Sequence, residues 1–134
     1  MNVLVDTSVW SLALHRAHPA QDGHARELAE LVSEGRASLI GPIRQELLSG
    51  VRAPAQFKTL REHLRPFPDL ALDAEDYEEA AHAFNLCRSK GIQGSNTDFL
   101  ICAAASRRRM PILSTDDDFQ EYARLLPISL HPPR

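Results

Sequence analysis

Asp6, Glu46, Asp98 and the run Asp116-Asp117-Asp118 are the residues whose type and setting best suit chemistry. Asp6 closes the apolar stretch Val3-Leu4-Val5. Asp98 opens a nearly continuous apolar segment, Phe99-Leu100-Ile101 and then Ala103-Ala104-Ala105, and Asp116 follows Ile112-Leu113. Singly, each has a plain structural role. Asp6 suits the cap of a helix, Glu46 beside Arg44 and Gln45 suits a solvated face, and Asp98 and Asp116 to Asp118 complement helix dipoles. Together they pose a problem, because carboxylates gathered near a core repel one another and lose hydration at several kcal/mol per ion. A divalent cation resolves it. Mg²⁺ and Mn²⁺ prefer hard oxygen ligands, retain waters, and are commonly held by a few carboxylates plus a substrate phosphate. Phosphodiester hydrolysis is the chemistry that uses such a set.

Short strands alternating with helices must position these acids. Asn2 to Val5 reads as a buried strand, and Thr7 or Ser8 as the cap of a helix through about Arg16 with Trp10 and Leu14 on one face. Helical spacing covers Asp22 to Glu34 (Ala25, Leu28, Leu31, Val32) and stops at Gly35. Ala37 to Ile40 is a second strand. Pro42 suits the first turn of a helix carrying Glu46, and Pro54 to Leu64 is another helix. Leu70 to Leu72 is a weak third strand. Asp73 caps a helix to about Lys90, with Tyr77, Ala80, Ala81, Phe84 and Cys87 along its buried stripe. Thr97 to Arg109 is a mostly buried helix, Pro111 to Leu113 a fourth strand, Asp116 to Leu125 a helix, and Ile128 to Leu130 a short last strand. The alternation predicts a three-layer α/β/α fold with a short parallel sheet of four to five strands, in one domain over residues 1–134. Sites in such sheets form at the carboxyl ends of strands, which is where Asp6 and Asp116 fall.

Composition narrows the function. A net charge of −3 argues against coating nucleic acid by bulk electrostatics, and leaves room for an acidic pocket neutralised by ions. No apolar run approaches the roughly 20 residues that cross a bilayer. The opening MNVLVDTSVW has no basic n-region and carries Asp6, unlike a signal peptide. Cys87 and Cys102 have no CxxC or histidine companion, so neither zinc nor a disulfide framework is expected, and a reducing cytoplasm fits.

Four segments carry a family resemblance in family order across the chain. VLVDTSVW (Val3 to Trp10) resembles the opening of PIN domains, RQELLSG (Arg44 to Gly50) their second acidic segment, NTDFLICAAA (Asn96 to Ala105) the third, and ILSTDDDF (Ile112 to Phe119) the fourth. Size and layout resemble the VapC toxins of toxin–antitoxin pairs. The resemblance implies a ribonuclease that leaves 5′-phosphate and 3′-hydroxyl ends. It implies Asp6, Glu46, Asp98 and Asp116 as the catalytic set. Asp6, Glu46 and Asp98 would be the main ligands of one Mg²⁺ or Mn²⁺, directly or through water; Asp116 would complete the metal cluster, and Asp118 would help hold a second ion or orient water. Thr7, Ser114 and Asn96 would support the carboxylates through hydrogen bonds. Asp117 departs from the family's more frequent basic or polar residue. A homodimer and an antitoxin partner are likewise implied, and the apolar residues between Pro42 and Leu64 suit either a groove for an antitoxin helix or cover for the sheet edge.

Candidate phosphate contacts are Arg107 to Arg109, which equally suit a helix C-terminus, and Arg44, Arg52, Arg88 and Lys90. Trp10 reads as core or interface. Two alternatives compete with the nuclease: a non-catalytic PIN-like module binding RNA or protein, and an Asp-dependent phosphatase or phospho-acceptor domain. The latter lacks the second Asp two residues after the first, since Ser8 stands there.

Overall fold

A computed structural model describes residues 1–15 and 22–134. Its centre is β1 (Val3–Val5), three residues with no exposed surface. Successive strand residues face opposite sides, so burial of all three means that both faces of the sheet are covered. β2 (Ala37–Ser38) and β3 (Ile112–Leu113) flank β1 in parallel, in the order β2-β1-β3. Leu4 pairs with Ser38 on one side and Ile112 on the other.

Among the described residues the sheet therefore has three strands, where four to five are expected from the sequence. The two missing edges are reduced to single parallel bridges, Leu39 with Asp69 and Ile112 with Leu130. The flanking prolines Pro66, Pro68, Pro127, Pro132 and Pro133 explain the truncation, because proline offers no N–H to a ladder.

The helices are α1 (Thr7–His15), α2 (Gly23–Ser33), α3 (Gly41–Leu48), α4 (Pro54–Leu64), α5 (Ala74–Ser89), α6 (Asn96–Arg108) and α7 (Asp118–Ala123). Arg16, the expected end of the first helix, lies outside the described residues. α1 packs against α2 and α3, and α5 lies along α6. α6 runs through the core, with every residue from Phe99 to Ala105 buried, as its alanine-rich sequence requires for close approach. Trp10 is a core residue: its indole N–H donates to the Val5 carbonyl at 3.1 Å and its ring meets Phe67 edge-on at 5.2 Å.

The buried stripe of α5 differs from the expected one. Asp76, Ala80, Ala83 and Cys87 are buried, whereas Tyr77 is 54% exposed and Ala81 faces out. The helix is rotated by a polar contact. Asp76, with no exposed surface, accepts from Arg108 at 2.7 and 2.9 Å and from Arg107 at 2.7 Å. Arg107 also reaches Asp73 and Glu75. These two arginines thus lock α6 to α5 and are not free phosphate contacts. Arg109 ends α6 in the left-handed conformation, φ 55°. Arg44 is also structural, bonding Asp69 and the carbonyls of Leu64 and Phe67. A second buried acid, Glu27, accepts from Arg134 at 2.8 Å and pairs with His131 at 2.6 Å.

Hydrogen bonds from Arg108, then Asp73 and Arg107, hold the Asp76 carboxyl well below the ordinary carboxylate range. A depressed folded-state value contributes stability above the unfolded value of about 3.9, and that stability is lost as pH falls below it. Asp76→Ala leaves two partly buried cations without their shared partner. We expect a loss of about 3 kcal/mol in urea unfolding at pH 7, and a smaller difference from wild type as pH drops below about 4. A difference that persists unchanged at low pH rejects the ion-pair explanation.

Candidate active site

The end of β1 delivers Asp6 into the site by backbone bonding. Its N–H donates to the Leu113 carbonyl at 2.9 Å, fixing the end of β1 against the end of β3. Its carbonyl accepts from Val9 and Trp10 and so starts α1. The side chain is 6% exposed, and Oδ2 accepts from both Ser8 Oγ and Ser114 Oγ at 2.8 Å. Of the two hydroxyls considered as caps, Ser8 bonds Asp6, and Thr7, which the family resemblance also sets beside a carboxylate, donates from Oγ1 to Glu46 Oε1 at 2.7 Å across to α3.

Asp98 enters from the first turn of α6, whose cap Ser95 accepts the Asp98 N–H at 3.0 Å. Its Oδ2 accepts the Tyr122 hydroxyl at 2.7 Å. Asp116 follows β3, with its N–H on Ser114 Oγ at 2.9 Å and its Oδ1 accepting the Asp118 N–H at 2.9 Å, so it also caps α7. Ser114 thereby touches both Asp6 and Asp116. Asp117 and Asp118 are exposed; Asp117 precedes α7 without making a side-chain cap bond. Asn96 is exposed and, among the described residues, bonds none of the carboxylates.

Burial holds both Asp6 and Asp98 above the ordinary carboxylate range, even against their hydroxyl donors. Neighbouring negative charge adds to it. Asp116 raises Asp6, and Asp6 and Asp116 both raise Asp98. Three acids from three distant segments therefore lie within electrostatic reach of one another, Asp116 at the exposed edge; Glu46, exposed on α3, bonds Thr7 and none of the three.

Sequence reasoning missed Tyr122 and gave Ser8 no part in the cluster. Tyr122 is fully buried on α7 between Phe99 (4.9 Å between centroids) and Phe119 (5.2 Å), and it raises no signal beyond its place after the fourth acidic segment. The clearer clue was Gly94. A Cβ there would collide with the Tyr122 hydroxyl and stand 3.0 Å from the Phe99 ring, so glycine is what lets Tyr122 reach Asp98.

The family model of the PIN domain matches residues 3–125. The chain belongs to the PIN domain family. No curated protein matches it. The PIN fold is also that of several solved structures. FitAcB from Neisseria gonorrhoeae is 21% identical with a TM-score of 0.77, over 98% of this chain and 97% of that one. VapBC2 from Rickettsia felis, bound to a DNA fragment from its promoter, is 15% identical with a TM-score of 0.77, over 98% of each chain. VapBC-5 from Mycobacterium tuberculosis, a member of the VapBC toxin–antitoxin family, is 18% identical with a TM-score of 0.68, over 96% of each. At these identities the likeness speaks to the fold alone.

Among the described residues of this PIN domain, no three carboxylate, histidine or cysteine side chains converge closely enough to grip a metal ion directly. The donor chemistry nonetheless suits Mg²⁺ or Mn²⁺: all the acids are hard oxygen donors, they repel one another, and such ions keep several waters through which a carboxylate can act.

Two outcomes are expected. A raised folded-state value means that stability is full below the unfolded value and declines as pH rises from about 4 through the raised value. Without added metal, Asp98→Asn should therefore unfold at a higher temperature than wild type at pH 7, with the gap closing towards pH 4; a lower Tm at pH 7 overturns the repulsion argument. Gly94→Ala should cost about 1–3 kcal/mol by overpacking, and Tyr122→Phe in the same chain should recover part of it. No recovery in thermal unfolding would place the clash elsewhere.

Proposed function

We propose that this PIN domain is a metal-dependent endoribonuclease and the toxin of a type II toxin–antitoxin pair. The observation that carries the reading is the gathering of Asp6, Asp98 and Asp116 around the ends of β1 and β3, where Asp116 opposes ionisation of Asp6 and both oppose that of Asp98. PIN domains are generally nucleases, which favours this reading over a binding module, and all four acidic positions are filled.

Asp6, Asp98 and Asp116 would hold Mg²⁺ or Mn²⁺, with Glu46 and Asp118 at its margin. When bound, the ion supplies water activation and charge neutralisation for phosphodiester hydrolysis. The chain's own residues supply position. Ser8 and Ser114 both hold Oδ2 of Asp6, Tyr122 holds Asp98, and Thr7 holds Glu46. An acidic cluster repels the RNA backbone until a cation neutralises it, so cleavage should require the ion for substrate approach as well as for chemistry.

The partners follow from the same reading: RNA as substrate, an antitoxin protein as inhibitor, and a second copy as homodimer mate. FitAcB and the VapBC structures lend support to the antitoxin. Between the end of α1 and α4 lies a groove of about 630 Å³, lined by Leu14, Val51, Ala55 and Leu60 with His15 and Arg52 at its rim, which suits an amphipathic antitoxin segment carrying acidic residues. Most apolar residues of α3 and α4 are otherwise core: Ile43, Leu47, Leu60 and Leu64 are buried. A cytoplasmic setting accords with two free, buried cysteines.

Mixed-sequence RNA with Mn²⁺ tests the proposal. We expect cleavage by wild type, none in EDTA, and a loss of more than about 100-fold in Asp6→Asn and in Asp98→Asn with the fold intact. Retained activity in both variants refutes the assigned site. Mn²⁺ should raise the Tm of wild type and leave that of Asp6→Asn unmoved.

A further inference from the structure

A cavity of about 170 Å³ opens between α5 and the segment before α6. Phe84, Arg88, Ile92, Gln93, Gly94 and Phe99 line it. Two contacts link its wall to Asp98. Gly94 abuts the Tyr122 hydroxyl, and that hydroxyl bonds Asp98. It is smaller than the roughly 300–1,000 Å³ clefts that take drug-sized ligands, so its scale suits one ring system or one phosphate.

The lining is specific in chemistry. Phe84 and Phe99 meet edge-on at 5.5 Å, and Phe84 stays half-exposed at the mouth. The Gln93 carboxamide is exposed and, among the described residues, makes no hydrogen bond. No acidic residue lines the cavity. Arg88 is exposed and without a carboxylate partner among the described residues, unlike Arg44, Arg107 and Arg108, which are held in ion pairs. Arg52, another arginine expected as a phosphate contact, lines the groove at the His15 end of α1, about 13 Å along the helix from Asp6. Of the expected phosphate contacts, Arg88 is the one that lines this cavity, which is linked to Asp98 through Gly94 and the Tyr122 hydroxyl.

We propose that this cavity is a nucleotide subsite of the nuclease. It would hold the substrate residue next to the one cut, with Phe84 against the base face, Gln93 on the base edge and Arg88 on the phosphate. A ring face, a carboxamide and a guanidinium around a space of this size are the three groups that single-stranded RNA recognition employs. Arg88 and Gln93 do not touch the acids, so their part is in binding and base preference. The inference rests on the ribonuclease reading, and the test separates the two.

With a fluorescent single-stranded oligoribonucleotide of mixed sequence and Mn²⁺, Arg88→Gln should raise KM about tenfold with kcat within about twofold, and lower the slope of log affinity against log salt by about 0.7, one phosphate contact on a single strand. Gln93→Ala should change the base preference beside the cut, with total activity kept. If wild type cleaves while Arg88→Gln keeps its KM and salt slope, the subsite is wrong and the nuclease stands. If wild type cleaves nothing, NMR titration of the full chain with the four nucleoside 5′-monophosphates still reads the cavity. Shifts of the Gly94 and Gln93 amides that vanish in Arg88→Gln support it. Silence at those amides, or their protection by a protein partner but not by nucleotides, overturns it.

Discussion

The Asp6 N–H bond to the Leu113 carbonyl is the contact on which the site depends. It sets the ends of two parallel strands level, and parallel strands in one sheet open their carboxyl ends on the same edge. Asp6 and Ser114 then become neighbours without any further device, and Ser114 carries the linkage on to Asp116. A slip of one residue in the pairing of Leu4 with Ile112 would turn the side chains of β3 to the other face and break the cluster. Full burial of β1 and β3 is what forbids that slip.

Asp98 reaches the same edge by different physics. No strand carries it; α6 does, and α6 is immobilised by apolar burial along its middle and by the Asp76 ion pairs at its far end. The first turn of a helix so fixed has little freedom, and Tyr122 completes the placement. The cluster is thus an electrostatically unfavourable arrangement held by the packing around it, and stability elsewhere must offset it.

Most of this was legible in the sequence where pattern and chemistry coincide. The apolar triplet ending in Asp6, the alanine-rich helix after Asp98 and the Ile112-Leu113 strand before Asp116 are local signals, and the element order follows from them. Edge strands were misread at Leu70 to Leu72 and Ile128 to Leu130, because an apolar triplet says nothing about whether neighbouring prolines let a ladder extend beyond one bridge. The α5 stripe was misread because hydrophobic spacing cannot foresee a buried aspartate; Asp76 is inside only because Arg107 and Arg108 meet it from another helix. Tyr122 was invisible for the same reason, being defined by a long-range partner. Asn96, expected to support the carboxylates, stands apart from them at the surface.

The topology also has a temporal consequence. β1 comes first along the chain, yet its partner β3 lies beyond α6, and Tyr122 lies later still. Chains are made from the amino end, and contacts between distant segments close slowly. A growing polypeptide thus carries Asp6 through the synthesis of most of this domain with neither Ser114 nor Asp116 beside it. Whatever the assembled acids do, they cannot do it on the ribosome until nearly the whole domain has emerged, so activity is delayed by the order of the strands themselves.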